Sequence, residues 1–416
     1  MSETVKRRRL NRPAGERTDL YPLALQYENK VWNGFCEVES EPAIFNVILR
    51  EFGVTGVKVQ EVISLDDEIL ALLNKPVYGL IFLFRWREDD SDKQEASCPE
   101  GLWFANQTAN NACASVALLN IVNNIEGIDL GDNLQSFKDF TMPFTPALRG
   151  DAINNFEFIK RIHNSFARKM DMLNSDLHLK YEAGTRRNKS GKRGREEHEA
   201  DAGFHFIAFV PALGKVWKFD GLERQPQALG ECDHDGDWLD LVKPDIQARM
   251  LGYQEDQIEF SILSLTRDPQ LELTDKLALN IKMLGAIEKA LKAEKMGLNG
   301  SAVPVFESLP EGTLSGADES YEVTPLAFDQ ATVPAEKMEG YLRCSMNELS
   351  RHRMELSEAQ SKLRTAIREE QQLKRLDDEN AARRRYDYGP AIRTWLRFLA
   401  RKRVIGELIS KTTEIR

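Results

Sequence analysis

Phe204-His-Phe-Ile-Ala-Phe-Val210 and Lys215-Val-Trp-Lys-Phe-Asp220 are two short runs rich in aromatic and β-branched residues, with Pro211-Ala-Leu-Gly214 between them. Such runs on either side of a short Gly-containing turn read as an antiparallel hairpin. With the turn centred between Ala212 and Leu213, His205 stands directly opposite Asp220, Phe206 opposite Phe219, and Ala208 opposite Trp217. Directly opposed residues share a face, with Cβ atoms roughly 4.5–5.5 Å apart. One face then carries an imidazole beside a carboxylate and the other carries a core. The pair alone is better read as an ordinary His–Asp surface contact, and only a nucleophile elsewhere in the chain gives it chemistry.

Outward from the hairpin, Val77 to Trp86 (VYGLIFLFRW) is apolar on both faces, the mark of a central strand covered on both sides. Val57 to Ile63 and Ile258 to Leu265 are further strands. Helical patterns lie between them. Ser40-Glu41-Pro42 starts one, with Ser40 as N-cap, Ile44, Phe45, Ile48, Leu49 and Phe52 on one face, and Gly53 as its stop. Ala114 to Ile125 is a second. Asp151 to Met172 is a third, with Ile153, Phe156, Ile159, Ile162 and Phe166 at helical spacing. Strands interrupting a run of helices give an α/β or α+β domain with a central, largely antiparallel sheet. Lys180 to Gly203 has no apolar period and reads as a long mobile loop, of a length uncommon in compact domains unless functional.

The nucleophile candidate is in Gln107-Thr-Ala-Asn-Asn-Ala-Cys113, just ahead of the second helix. A free cysteine is by default a buried hydrophobe. Cys113, however, sits near a helix N-terminus, where unpaired N–H groups and the macrodipole favour the thiolate. Gln107 stands six residues upstream, where its amide and the Cys113 N–H can both face a developing oxyanion. His205, oriented by Asp220, supplies the base.

The five cysteines are odd in number and contain no CxxC pair, which fits reduced thiols in a cytosolic or nuclear protein. Cys232-Asp-His-Asp-Gly-Asp237 has the composition of a metal loop, but adjacent ligands in one short loop cannot all converge, and no second cluster exists. No metal is expected. Without a GxGxxG, a Walker loop or an HExxH, no cofactor is expected either. His163, His178, His198 and His352 lie in charged or helical contexts and read as solvated.

At 416 residues the chain exceeds what one core fills, and its formal charge of -10 argues against direct nucleic-acid binding. No apolar run is long enough to cross a membrane, and no signal peptide is visible, so the chain reads as soluble and not secreted. Residues 1–30, with Lys6-Arg7-Arg8-Arg9, read as a disordered arm carrying either a nuclear address or a solvated charge cluster. A catalytic domain spans 31–268, and a charged amphipathic helix follows over 269–296. Residues 297–334 are rich in Gly, Pro, Ser and acidic residues and read as a flexible linker. Over 335–385, Leu342, Leu349, Leu356 and Leu363 form a heptad seam. Its second column (Met346, Arg353, Gln360, Ile367) is poor, so a partner helix or the catalytic domain must complete it. The segment 386–416 carries Tyr388, Ile392, Trp395, Leu396, Leu399, Ile405 and Leu408, a docking element if nothing in the chain covers it.

QTANNAC, FHFIAFVP and KFDGLERQPQALG, in this order, resemble the oxyanion, histidine and aspartate blocks of the ubiquitin C-terminal hydrolases, papain-like deubiquitinating cysteine proteases. FCEVESEPAIFNVIL, YGLIFLFRW and IHNSFAR extend the resemblance over about residues 32–268. The tail RRRYDYGPAIRTWLRFLARKRVIGELI is similar to the extension of the long-tailed UCH37 and BAP1 types. The resemblance implies a papain-like fold with a helical C-terminal extension, Cys113 as nucleophile, His205 as general base and acid, Asp220 as its orienter and Gln107 as oxyanion donor. It further implies an active-site crossover loop within about 173–203. The expected substrates are ubiquitin and ubiquitinated proteins, and the expected partner is a helical adaptor on the tail, a proteasomal ubiquitin receptor first and a chromatin adaptor second. No membrane partner is expected, and the compartments are cytoplasmic and nuclear. A catalytically silent ubiquitin-binding scaffold and a hydrolase of another ubiquitin-like modifier are the rival readings.

Overall fold

Among the described residues six strands, Val57–Glu61 (β1), Val77–Arg85 (β2), Phe204–Ala212 (β3), Lys215–Phe219 (β4), Gln227–Glu231 (β5) and Phe260–Arg267 (β6), form one sheet in the order β1-β6-β2-β3-β4-β5. Every ladder is antiparallel. The computed structural model describes residues 32–85, 93–177, 203–232, 237–251, 260–297, 309–310, 312–402 and 404. The arm over 1–30 and most of the expected loop within 173–203 lie outside the described residues. As its two-faced apolar pattern requires, β2 is interior, and Leu80, Ile81, Phe82 and Phe84 are buried.

The β3–β4 hairpin is shifted by two residues from the expected register. Ala208 pairs with Phe219, Val210 with Trp217 and Ala212 with Lys215. The turn is Leu213-Gly214, with φ of 52° and 72°. Two consecutive positive φ values make the two-residue turn whose twist matches that of the strands. An even shift leaves every side chain on its face, so Phe206, Ala208, Val210, Trp217 and Phe219 still share one core. His205 and Asp220 are therefore diagonal, not directly opposed.

Helices cover both faces. On the first lie Pro42–Phe52 (α1), Cys113–Val122 (α3), Gly131–Thr141 (α4), Pro146–Asn155 (α5) and Glu157–His163 (α6), and on the second Asp67–Leu70 (α2) and Leu239–Met250 (α8). Residues 169–177 are also helical (α7). Glu41, not Ser40, is the N-cap of α1, while the Ser40 hydroxyl bonds Ser261 Oγ. Gly53, at φ 93°, ends the helix. The single helix expected over 151–172 is broken at Phe156, which is extended. Its ring stacks on Phe137 at 4.8 Å and packs against Phe158 at 5.6 Å, so aromatic burial overrides the helical period.

Beyond the sheet, Pro269–Gly297 (α9) packs along the 40-residue helix Met346–Arg385 (α12), preceded by Pro325–Gln330 (α10) and Ala335–Arg343 (α11). The expected linker is ordered over much of its second half. Tyr321 and Val323 are buried with Leu277, Ala278, Ile281 and Ile367. The expected helix over 335–385 is two helices, because Ser345 and Glu348 form a capping box that starts α12 afresh. The heptad seam is completed within the chain. Leu349 and Ile367 are buried, and Gln360 donates to Asn280 Oδ1 at 3.3 Å and to the Leu314 carbonyl at 3.2 Å. The far end of α12 lies along α1 through ion pairs Arg50–Asp378 and Arg385–Glu51. Gly389–Arg401 (α13) follows with Ile392, Trp395, Leu396 and Phe398 exposed.

Candidate active site

Cys113 is the first residue of α3, and Ala112, its N-cap, makes no side-chain capping bond. The N–H groups of the first turn are therefore left without a side-chain acceptor from the cap. Ala114 to Val122 are all buried, which fixes the helix against the sheet. The loop leading to it is fastened from behind. Arg149 donates to the carbonyls of Thr141 at 3.1 Å, Leu102 at 3.0 Å and Phe104 at 3.2 Å. The side chain of Asn120 accepts the Ala105 N–H at 2.8 Å. Gly150 lies so close that a Cβ there would stand 2.2 Å from the Asn106 carbonyl, so only glycine lets α5 approach.

His205 is on β3 and Asp220 immediately follows β4; both are 4% exposed. His205 Nε2–H donates to Asp220 Oδ1 at 2.7 Å, and the Leu222 N–H bonds the same oxygen at 2.9 Å. Burial by itself lowers the His205 pKa, but hydrogen bonds to Asp220 and to Cys113 outweigh it and raise it to about 9. Burial likewise pushes Asp220 up, and the bond to His205 outweighs it, so the carboxyl is lowered overall. Because Asp220 occupies Nε2, Nδ1 is the nitrogen left to face the Cys113 thiol. Phe84 packs edge-on against the imidazole at 6.2 Å and limits its rotation.

Gln107 joins the two halves. Its N–H donates to the Gly221 carbonyl at 2.7 Å, and a Cβ at Gly221 would stand 3.1–3.2 Å from Gln107 and Val116, close enough to push them aside. Gln107 Oε1 is buried without a hydrogen-bond partner among the described residues. As an acceptor this oxygen takes only an entering donor, whereas an oxyanion can be met by the amide Nε2. Asn106, which the sequence did not single out, donates to the Glu223 carbonyl at 2.6 Å and braces the Asp220 loop. Its position next to Gln107 was the available signal, whereas Arg149 had none.

His163 corrects its expected solvation, for it is fully buried. Its Nε2 donates to the Cys36 carbonyl at 2.8 Å and its Nδ1 accepts from Ser115 Oγ at 2.8 Å. Burial lowers its pKa to about 4, so it is neutral and anchors α3 from behind. Charged neighbours Lys160 and Arg161 disguised an inward-facing position. His352 pairs with Glu355 at 3.1 Å, while His178 and His198 lie outside the described residues. The Cys36 thiol is pushed up to about 12 by burial, which removes it as a nucleophile.

A family model described as ubiquitin carboxyl-terminal hydrolase, family 1, matches residues 35–251. The ubiquitin carboxyl-terminal hydrolase isozyme L5 of Dictyostelium discoideum is 32% identical over 381 residues, covering 92% of this chain and 96% of its own. The Caenorhabditis elegans ubiquitin carboxyl-terminal hydrolase ubh-4 is 36% identical over 245 residues, covering 58% of this chain and 70% of its own. The crystal structure of the Trichinella spiralis UCH37 catalytic domain bound to ubiquitin vinyl methyl ester is 33% identical and covers 56% of this chain and 96% of that one, with a TM-score of 0.45.

Proposed function

The chain belongs to family 1 of the ubiquitin carboxyl-terminal hydrolases, the cysteine-type deubiquitinases, and is of the long-tailed UCH37 type; from this we propose that it cuts the (iso)peptide bond at the terminal glycine of ubiquitin through Cys113, His205, Asp220 and Gln107. The observation that carries the reading is the buried His205–Asp220 pair, bonded at 2.7 Å, with Cys113 at a helix start among the groups that raise the imidazole's pKa. The Cys113 thiolate attacks the glycine carbonyl carbon. The Gln107 amide and the Cys113 N–H receive the oxyanion. As the tetrahedral adduct collapses, the C–N bond breaks and the departing amine takes the proton held by His205. Water, deprotonated by His205, then attacks the thioester and releases the ubiquitin carboxylate and the thiol. Asp220 keeps the ring in the tautomer and orientation that both steps use. No step requires a metal or cofactor.

The exposed apolar face of α13 supports a second part of the reading, regulation by a helical adaptor in the cytoplasm and nucleus, a proteasomal ubiquitin receptor before a chromatin adaptor. An electrophilic ubiquitin probe tests both parts. It should label the full chain on Cys113 and leave Cys113→Ala unlabelled, while a chain lacking residues 386–416 should still be labelled but no longer retain the adaptor. Absence of any adduct on the adaptor-bound full chain would leave a silent ubiquitin-binding scaffold.

A further inference from the structure

The geometry points to Asn111 as a positioning residue: its left-handed backbone turns the chain into α3, and its amide fastens the nucleophile loop to α7, so that the Cys113 N–H stays aimed at the oxyanion. This rests on the reading of Cys113 as nucleophile.

Three non-glycine residues among the described ones have positive φ: Asn111, Leu213 and Glu322. Leu213 is in the hairpin turn, and Glu322 closes the tight bridge between Asp318 and Val323. Asn111, at φ 62°, is in neither setting and stands two residues before Cys113. The left-handed region is unfavourable for most L-residues, and Asn tolerates it through its short polar side chain. Glycine would meet the backbone requirement at least as well. What glycine lacks is the amide, whose Nδ2 donates to Ser175 Oγ at 3.2 Å, 64 residues along the chain.

Ser175 is on a firm support. The N-terminus of α7 is held by Asp171, which accepts from the Arg168 N–H at 2.9 Å and pairs with Arg384 at 3.1 Å. Near the other end, the Trp32 indole donates to Asp176 at 3.0 Å. The segment 107–111 is thus clamped at two points. Gln107 is tied by its N–H to Gly221, next to Asp220, and Asn111 is tied by its side chain to α7. Between them Thr108 and Asn110 are exposed, and Ala112 adds no capping bond. The direction of the Cys113 N–H follows from the backbone angles just before it. Loosening Asn111 therefore misaims an oxyanion donor without touching the imidazole that pairs with the thiol.

The test uses the full chain, a fluorogenic amide of ubiquitin's C-terminus, and iodoacetamide as a small thiol probe that needs neither ubiquitin nor an oxyanion. Asn111→Gly keeps the backbone conformation and removes the amide, and Ser175→Ala removes the acceptor from a separate helix. Each should lower kcat about tenfold, with KM and the Cys113 alkylation rate within about twofold of the parent. The double variant should lose little more than either single one, as expected of one shared contact. An unchanged kcat in Asn111→Gly, or kcat and alkylation falling in parallel, or an unaffected Ser175→Ala beside an impaired Asn111→Gly, would each overturn the inference. Cys113→Ala separates it from the reading beneath it. If that variant still hydrolyses, the nucleophile is misassigned; if it is dead and Asn111→Gly is unimpaired, the positioning role alone fails.

Discussion

Helix α1 is gripped from two sides, and the two grips differ in kind. Toward the sheet it presents Ile44, Phe45, Ile48 and Phe52 to a dry core, and buried Asn46 exchanges hydrogen bonds with the Val59 backbone at 2.7 and 3.2 Å. Toward α12 the contact is mostly polar: Asn46 also donates to Asp377 at 2.9 Å, and Arg50 and Glu51 pair with Asp378 and Arg385, the Asp378 side chain being 59% exposed, while Ala381 is the α12 residue buried in the core. Salt does not weaken the burial of apolar surface, whereas half-exposed ion pairs are screened and contribute about 0–1 kcal/mol each. The catalytic half is therefore one cooperative body. The far end of α12 is held by one buried alanine and by polar contacts, the more exposed of which salt weakens.

The sharpest blow to this contrast falls inside the dry half. Asp220→Asn leaves the shape and removes the charge that holds His205, so kcat should fall by about 10²–10⁴. His205 keeps its proton up to about pH 9, with the hydrogen bond to Asp220 as the first of the causes that raise it. Without the carboxylate, burial dominates, and the alkaline limb of the pH–rate profile should move toward acid. A limb that stays in place would detach Asp220 from His205.

Next in size is acid sensitivity, measured by urea unfolding between pH 7 and 4. His163 has its pKa lowered from 6.5 to about 4, so below about pH 6.5 the unfolded chain takes up a proton that the folded chain refuses. Stability should fall across that window by roughly 3 kcal/mol, and His163→Gln should flatten the loss. His205 has the opposite sign. Its raised pKa contributes stability that is complete below the unfolded value of about 6.5 and is lost as pH rises through about 9.

The smallest effect belongs to the polar side. Arg384 pairs with Glu39 at 2.9 Å and with Asp171 at 3.1 Å. Arg384→Gln should loosen the end of α12, seen as faster amide exchange over residues 376–385 ahead of any change in the sheet. Half-molar salt should have the same effect on the unsubstituted chain. If salt leaves the exchange untouched, the two grips are alike after all.

What the sequence made legible divides along the same line. The two-faced apolar run of β2, the helix beginning at Cys113 and the histidine and aspartate flanking one turn are local patterns, and each is found where its pattern put it. The hairpin register escaped because it depends on Leu213 accepting a positive φ, which nothing about leucine announces. The QALGE stretch of β5 has no alternation to read, being an edge strand of half-buried residues. Tyr321 and Val323 sit in a polar stretch, and their burial is decided by α9 and α12 on either side. His163 looked solvated because its charged neighbours dominate the local sequence. The Asn111–Ser175 contact spans 64 residues and has no local trace at all.

The anchoring of Arg385 to Glu51 and Ser165 has a consequence for assembly. Tyr386 comes next, and α13 begins at Gly389, so its exposed apolar face starts within one turn of a residue tied to the catalytic half. A tether of a few ordered residues sets a high effective concentration. Any protein seated on α13 therefore meets the neighbouring surface of α1 and α7 as an almost intramolecular event, and contacts too weak to form in free solution become sufficient.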